Sequence, residues 1–146
     1  MSIRALVLIP VAVLALTGVA CSSDEPTSTD GSDGGDGVSV ALRDFAIELG
    51  ASSAPAGSIT FEATNDGPSV HEFEVIDTDI PADQFEVDSG VAATTADGSV
   101  IVDEVEEIAP GTNVDLTVDL EPGAYALVCN IAGHYEQGMF ASFTVE

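Results

Sequence analysis

Apolar and polar positions alternate along much of this chain, and the alternation has a period of two. In residues 113–120, NVDLTVDL, Val114, Leu116, Val118 and Leu120 are interleaved with Asp115, Thr117 and Asp119, the pattern of a strand with one buried face. Residues 58–63 repeat it, with Ile59, Phe61 and Ala63 on one side and Thr60 and Glu62 on the other. Shorter runs of the same kind are VSVAL from Val38, FAIEL from Phe45, HEFEVI from His71 and SFTV from Ser142. Turn signals separate them: PAG at Pro55, NDGP at Asn65, ADG at Ala96, APG at Ala109 and EPG at Glu121. Short alternating strands with Gly and Pro turns and no sustained 3.6-residue period predict an all-β fold of two packed antiparallel sheets. Residues 81–97 fit this rhythm least and are expected to form a long loop with one helical turn around residues 82–85.

The N-terminal pattern differs. Arg4 precedes a nearly unbroken apolar run over residues 5–20, and small residues Gly18 and Ala20 stand just before Cys21. This is the layout of a cleaved export signal, residues 1–20, and the run falls short of the about 20 apolar residues a membrane span requires. Cys21 stands where bacterial lipoproteins are cut and acylated, although Gly18 occupies the place usually held by Leu. Lipidation of Cys21 is the expectation, and an unlipidated secreted or periplasmic protein is the alternative. Residues 21–37 are Ser, Asp, Thr and Gly with almost no apolar side chain, so ordering them would have nothing to offset its entropy. They read as a flexible tether to the outer face of the membrane, and residues 38–146 as a single domain.

Charge narrows the partners. All 26 acidic residues lie beyond Ala20, opposed there by Arg43 alone, with no lysine in the chain. Such a surface repels phosphate backbones and excludes nucleic acid as a natural partner. It suits a soluble monomer whose partner proteins carry a basic docking face, or it serves solubility alone.

Past the signal junction the only cysteine is Cys129, which cannot form an internal disulfide. Its surroundings, YALVCNIAGHYEQGMF, place Cys129, His134 and Met139 at five-residue intervals. The one other histidine, His71, opens a strand after the turn NDGPSV. Thiolate, two imidazoles and a thioether form the donor set of a type I copper site. Singly, a buried Cys or a Met is more often a core residue. Jointly, every histidine, every methionine beyond the initiator and the only cysteine of the domain meet in one proposed site.

The two-part motif, NDGPSVHEF with CNIAGHYEQGMF, resembles the cupredoxins, and its Cys-x4-His-x4-Met loop is most like those of rusticyanin, sulfocyanin and auracyanin. The resemblance extends over residues 38–146. It implies a Greek-key β-sandwich holding one type I copper ion on His71, Cys129, His134 and Met139, and a one-electron carrier rather than an enzyme. It also implies that His134, ringed by Pro68, Ile131, Ala132 and Phe140, is the electron's exit toward redox partner proteins. Many members follow the first histidine with Asn or Ser, which ties the two ligand-bearing segments together, and this chain has Glu72. An extracytoplasmic copper carrier would share the ligands, and a metal-free sandwich binding module is the further alternative. Copper enzymes with extra metal sites are excluded, because two histidines cannot supply them.

Overall fold

A computed structural model describes residues 37–146; the expected signal segment, Cys21 and all of the tether but Gly37 lie outside the described residues. Eleven strands follow in chain order: β1 (Gly37–Arg43), β2 (Ala46–Leu49), β3 (Ser53–Ala54), β4 (Gly57–Asn65), β5 (His71–Asp77), β6 (Val87–Asp88), β7 (Val91–Ala92), β8 (Val100–Ile108), β9 (Asn113–Leu120), β10 (Gly123–Val128) and β11 (Phe140–Val145). One 3₁₀ turn, Tyr135–Gln137, lies between the last two. One sheet has the order β2-β1-β4-β9 and the other β3-β11-β10-β5-β8, while β6 and β7 form a separate hairpin. The pairs β1/β4 and β3/β11 are parallel and the others antiparallel. The chain changes sheet between β2 and β3, β3 and β4, β4 and β5, β8 and β9, and β9 and β10, so it closes the layers over each other as a β-sandwich.

The alternating residues supply the core. Val38, Val40 and Leu42 of β1, Ile59 and Phe61 of β4, and Leu116, Val118 and Leu120 of β9 pack against Phe73, Val75, Tyr125, Leu127 and Phe143 of the other sheet. Phe61 meets Phe73 and Phe143 edge-on, at centroid separations of 5.5 and 5.3 Å, the favoured aromatic arrangement. A second apolar cluster covers the outer face of β5 and β10, where Ile76, Ala126 and Val128 lie under Ala82, Phe85, Ala92 and Tyr135. Residues 81–97 are therefore a cover for this face. In place of the expected helical turn stands a hydrogen-bonded turn closed by Gln84 N–H donating to Pro81 O at 2.8 Å, followed by the β6–β7 hairpin.

Strand periodicity then fixes the direction of the functional side chains. On β5, His71 shares the inward face with Phe73 and Val75, while Glu72 and Glu74 share the other. Cys129 continues the inward series of Tyr125 and Leu127 immediately beyond β10. Because β10 pairs directly with β5, both side chains reach the same end of the core.

Candidate metal centre

His71, Cys129 and Met139 are fully buried at that end of the sandwich, and His134 is half-buried above them. Backbone hydrogen bonds fasten the loop across its mouth. Cys129 N–H donates to Met139 O and Met139 N–H donates to His134 O, each at 3.1 Å. Gly138, at φ 110, reverses the chain after the 3₁₀ turn and lets Met139 return beside Cys129.

The two imidazoles present the same nitrogen. His71 Nδ1 lies 3.3 Å from His134 Nδ1, and Cys129 Sγ lies 3.5 Å from His134 Nδ1 and 3.9 Å from His71 Nδ1. The point equidistant from the corners of this triangle is about 2.1 Å from each, the length of a bond from a first-row metal to imidazole or thiolate. Among the described residues these three form the one group of His, Cys or acidic side chains spaced to hold a metal ion. With Met139 completing the soft donor set, the arrangement fits a single type I copper.

Burial favours the neutral forms of His71 and Cys129. Burial, then the neighbouring His134, hold the His71 imidazole below its ordinary range, partly opposed by Asp44. Burial pushes the Cys129 thiol up, and the Glu72 and Glu74 carboxylates add to this, against the backbone N–H groups of Glu72 and Ile131. A neutral imidazole is ready to donate a lone pair. The thiol must lose its proton, and a bound cation would offset the cost of the buried thiolate.

Glu72 ties the two ligand-bearing segments together. Glu72 N–H points at Cys129 Sγ at 3.4 Å, and its Oε1 accepts Asn130 N–H at 2.8 Å. The segment after the first histidine is thus tied to the segment after the cysteine by a carboxylate. Asn130 extends the tie, its Oδ1 accepting Ala92 N–H at 2.7 Å and its Nδ2 donating to Ala92 O at 3.1 Å.

Three further residues belong to the site, and the sequence did not mark them as part of it. The two-residue turn joining β1 and β2 consists of Asp44 and Phe45. It brings Asp44 Oδ1 to 3.3 Å from His71 Nε2 and sets the Phe45 ring edge-on to His134 at 5.6 Å. Gly67 packs against Asp44 and His71; a Cβ there would lie 2.8 Å from both Asp44 Oδ1 and His71 Nε2.

Comparison with known proteins agrees with this geometry. Residues 51–146 match the family profile described as the sulfocyanin (SoxE) domain. Dithionite-reduced auracyanin from Roseiflexus castenholzii superposes with a TM-score of 0.57 at 19% identity, over 77% of this chain and 99% of that one. Rusticyanin from Thiobacillus ferrooxidans superposes with a TM-score of 0.52 at 22% identity, over 77% of this chain and 79% of that one. At such identities the structures establish a shared fold. No curated protein matches this chain in sequence.

Proposed function

This chain belongs to the sulfocyanin (SoxE) domain family, and from that premise we propose that it is an exported one-electron carrier whose copper is held by His71, Cys129, His134 and Met139. The family is one of cupredoxins, which carry electrons and are not enzymes. The observation that supports the ligand assignment most strongly is the triangle of two Nδ1 atoms and one Sγ, spaced for a single metal ion.

Bound copper supplies a one-electron couple between Cu(I) and Cu(II). The protein's part is to hold the donors in one arrangement. His71 is fixed by the β5 ladder and Cys129 by the end of β10, while backbone bonds hold His134 and Met139, so little reorganisation accompanies a change of charge. Complete burial of His71, Cys129 and Met139 favours retention of the metal over delivery. His134 is the ligand nearest solvent, and Phe45, 40% exposed, adds an aromatic edge beside it. Exposed Pro68 and Ala132 and half-buried Ile131 would complete the apolar exit, whereas Phe140 packs on Tyr135 in the second apolar cluster.

Small apolar contacts suit brief redox encounters, and the acidic surface steers partners with a basic docking face. Export by residues 1–20 and anchoring through lipidated Cys21 and the tether would place this domain, a monomer, outside the cytoplasmic membrane. Among the described residues no helix is long and apolar enough to cross a membrane. Mass spectrometry of the mature N-terminus should find diacylated Cys21, and an unmodified cysteine would remove the anchor.

The electron-transfer reading is tested by stopped-flow mixing of the reduced copper protein with a cationic and an anionic oxidant. Salt should slow the first reaction and speed the second, because steering is screened over about 10 Å at 0.1 M. Ile131→Asp should slow both. Salt-independent rates would remove charge steering, and unchanged rates in Ile131→Asp would remove the exit beside His134.

A further inference from the structure

The turn between β1 and β2 is built at a cost. Phe45 adopts φ 67, the left-handed region that favours glycine, and a bulky side chain there is strained. What the strained turn delivers is Asp44. Ser69 Oγ donates to Asp44 Oδ2 at 3.1 Å, which leaves Oδ1 facing His71 Nε2 at 3.3 Å. That pair is within ion-pair reach but off line for a hydrogen bond, and among the described residues neither buried atom has another hydrogen-bond partner. Arg43, the only Lys or Arg beyond Ala20, is engaged by Glu48 and Asp66, at 3.1 and 3.5 Å. Among the described residues His71 is therefore the one nitrogen base facing this carboxylate oxygen.

The rest of the surroundings keep the pair together. Gly67 has no side chain to drive between Asp44 and His71. Its N–H donates to Asn65 Oδ1 at 2.9 Å, while Asn65 Nδ2 donates to Ser69 O and Ile108 O at 2.8 and 2.7 Å. Asn65 is completely buried, so the turn carrying Gly67 and Ser69 is locked from within.

We propose that Asp44 is the positioning residue of the buried histidine: its carboxylate, 3.3 Å away, holds the proton of His71 on Nε2 by charge attraction, leaves the Nδ1 lone pair facing Cys129 and His134, and biases the site toward the higher metal charge. The inference rests on the copper reading for its last part only. A carboxylate behind a ligating imidazole fixes the tautomer and makes the imidazole a stronger donor, and it is remote enough not to compete for the metal. Its negative charge stabilises Cu(II) more than Cu(I).

The test uses the metal-free and the copper-loaded protein. Nitrogen-15 NMR of the metal-free wild type should show His71 as a single Nε2–H tautomer. Asp44→Asn, whose amide oxygen still carries partial negative charge, should keep that tautomer, and Asp44→Ala should give a mixture. In the loaded protein Asp44→Ala should lower Cu(II) affinity about 10- to 100-fold. Asp44→Asn should shift the one-electron equilibrium about tenfold toward Cu(I), which voltammetry reads as a rise of about 59 mV. If Asp44→Ala fails to fold, the Asp44→Asn potential decides alone. An Asp44→Ala protein with one fixed Nε2–H tautomer, or an Asp44→Asn potential equal to wild type, overturns the proposal. A fixed wild-type tautomer in a protein that binds no copper would leave the positioning role standing and remove the copper reading.

Discussion

Gly67→Ala adds a single methyl group, and the structure decides the sign of its effect. Gly67 does not have a left-handed φ, so in open space alanine would stabilise by about 0.4–1 kcal/mol through the unfolded chain. Here the new Cβ would lie 2.8 Å from Asp44 Oδ1, 2.8 Å from His71 Nε2 and 3.1 Å from the Asp44 backbone nitrogen. Ordinary contact begins near 3.4 Å, so the first two atoms must each retreat by roughly 0.6 Å, and overpacking of that kind costs about 1–3 kcal/mol. The cost exceeds the gain, and the melting temperature of the metal-free protein should fall by several degrees, at about 4 °C or more per kcal/mol. Gly123→Ala is the control: its Cβ would meet nothing closer than 3.7 Å, and the variant should be neutral or slightly more stable. In an Asp44→Ala background one of the two closest contacts is gone, so the penalty should shrink and the double-mutant cycle should show coupling of at least about 0.5 kcal/mol. Scanning calorimetry of the wild type, the three single variants and the double variant reads all of this. Gly67→Ala as stable as wild type, or a strictly additive cycle, would refute the close packing of Gly67, Asp44 and His71.

The remaining predictions concern Glu72, Glu74 and Met139. Glu72→Ala leaves Asn130 N–H without its acceptor and should cost about 1–3 kcal/mol in thermal unfolding, whereas Glu72→Gln keeps an acceptor and should cost little. Equal stability of the two variants would show that the tie does not bear on folding. Glu74 is buried and faces Glu104 across β5 and β8; burial, then Glu72, push its carboxyl from 4.5 up to about 7. The folded state thus holds this proton more tightly than the unfolded one, so the contribution to stability is full below pH 4.5 and is lost as pH rises through about 7. Glu74→Gln should remove that slope, worth at most about 3 kcal/mol, and urea unfolding at pH 5 and pH 8 with the same slope as wild type would contradict it. Met139→Gln should keep copper bound and lower the potential, because an oxygen donor favours Cu(II); an unchanged voltammogram would place the thioether away from the metal.

Legibility in the sequence followed solvation. β9 spans the alternating run NVDLTVDL residue for residue, and β4 extends the run at residues 58–63, because each has one wet face and one dry face. β10 was invisible to periodicity: Ala126 and Val128 are buried under the second cluster while Tyr125 and Leu127 face the main core, so no polar residue alternates. β8 was missed for the opposite reason. It is an edge strand with Val100 and Val102 exposed among acidic residues, and it pairs with β5 through register shifts. The donor set stood out because its chemistry is scarce in this chain. Asp44 did not, since one aspartate among 26 acidic residues carries no signal until the hairpin brings it to His71. Phe45 and Gly67 likewise acquire their roles only through tertiary approach.

The most direct test of the account is titration of the metal-free protein with Cu(II), followed by visible absorption. His71 and His134 Nδ1 with Cys129 Sγ, spaced 3.3–3.9 Å apart, should give an intense thiolate-to-copper charge-transfer band that saturates at one copper per chain. Cys129→Ser, folded by circular dichroism, should show none of it. A wild-type protein that stays colourless with excess copper, or a serine variant that keeps the band, would contradict the assignment.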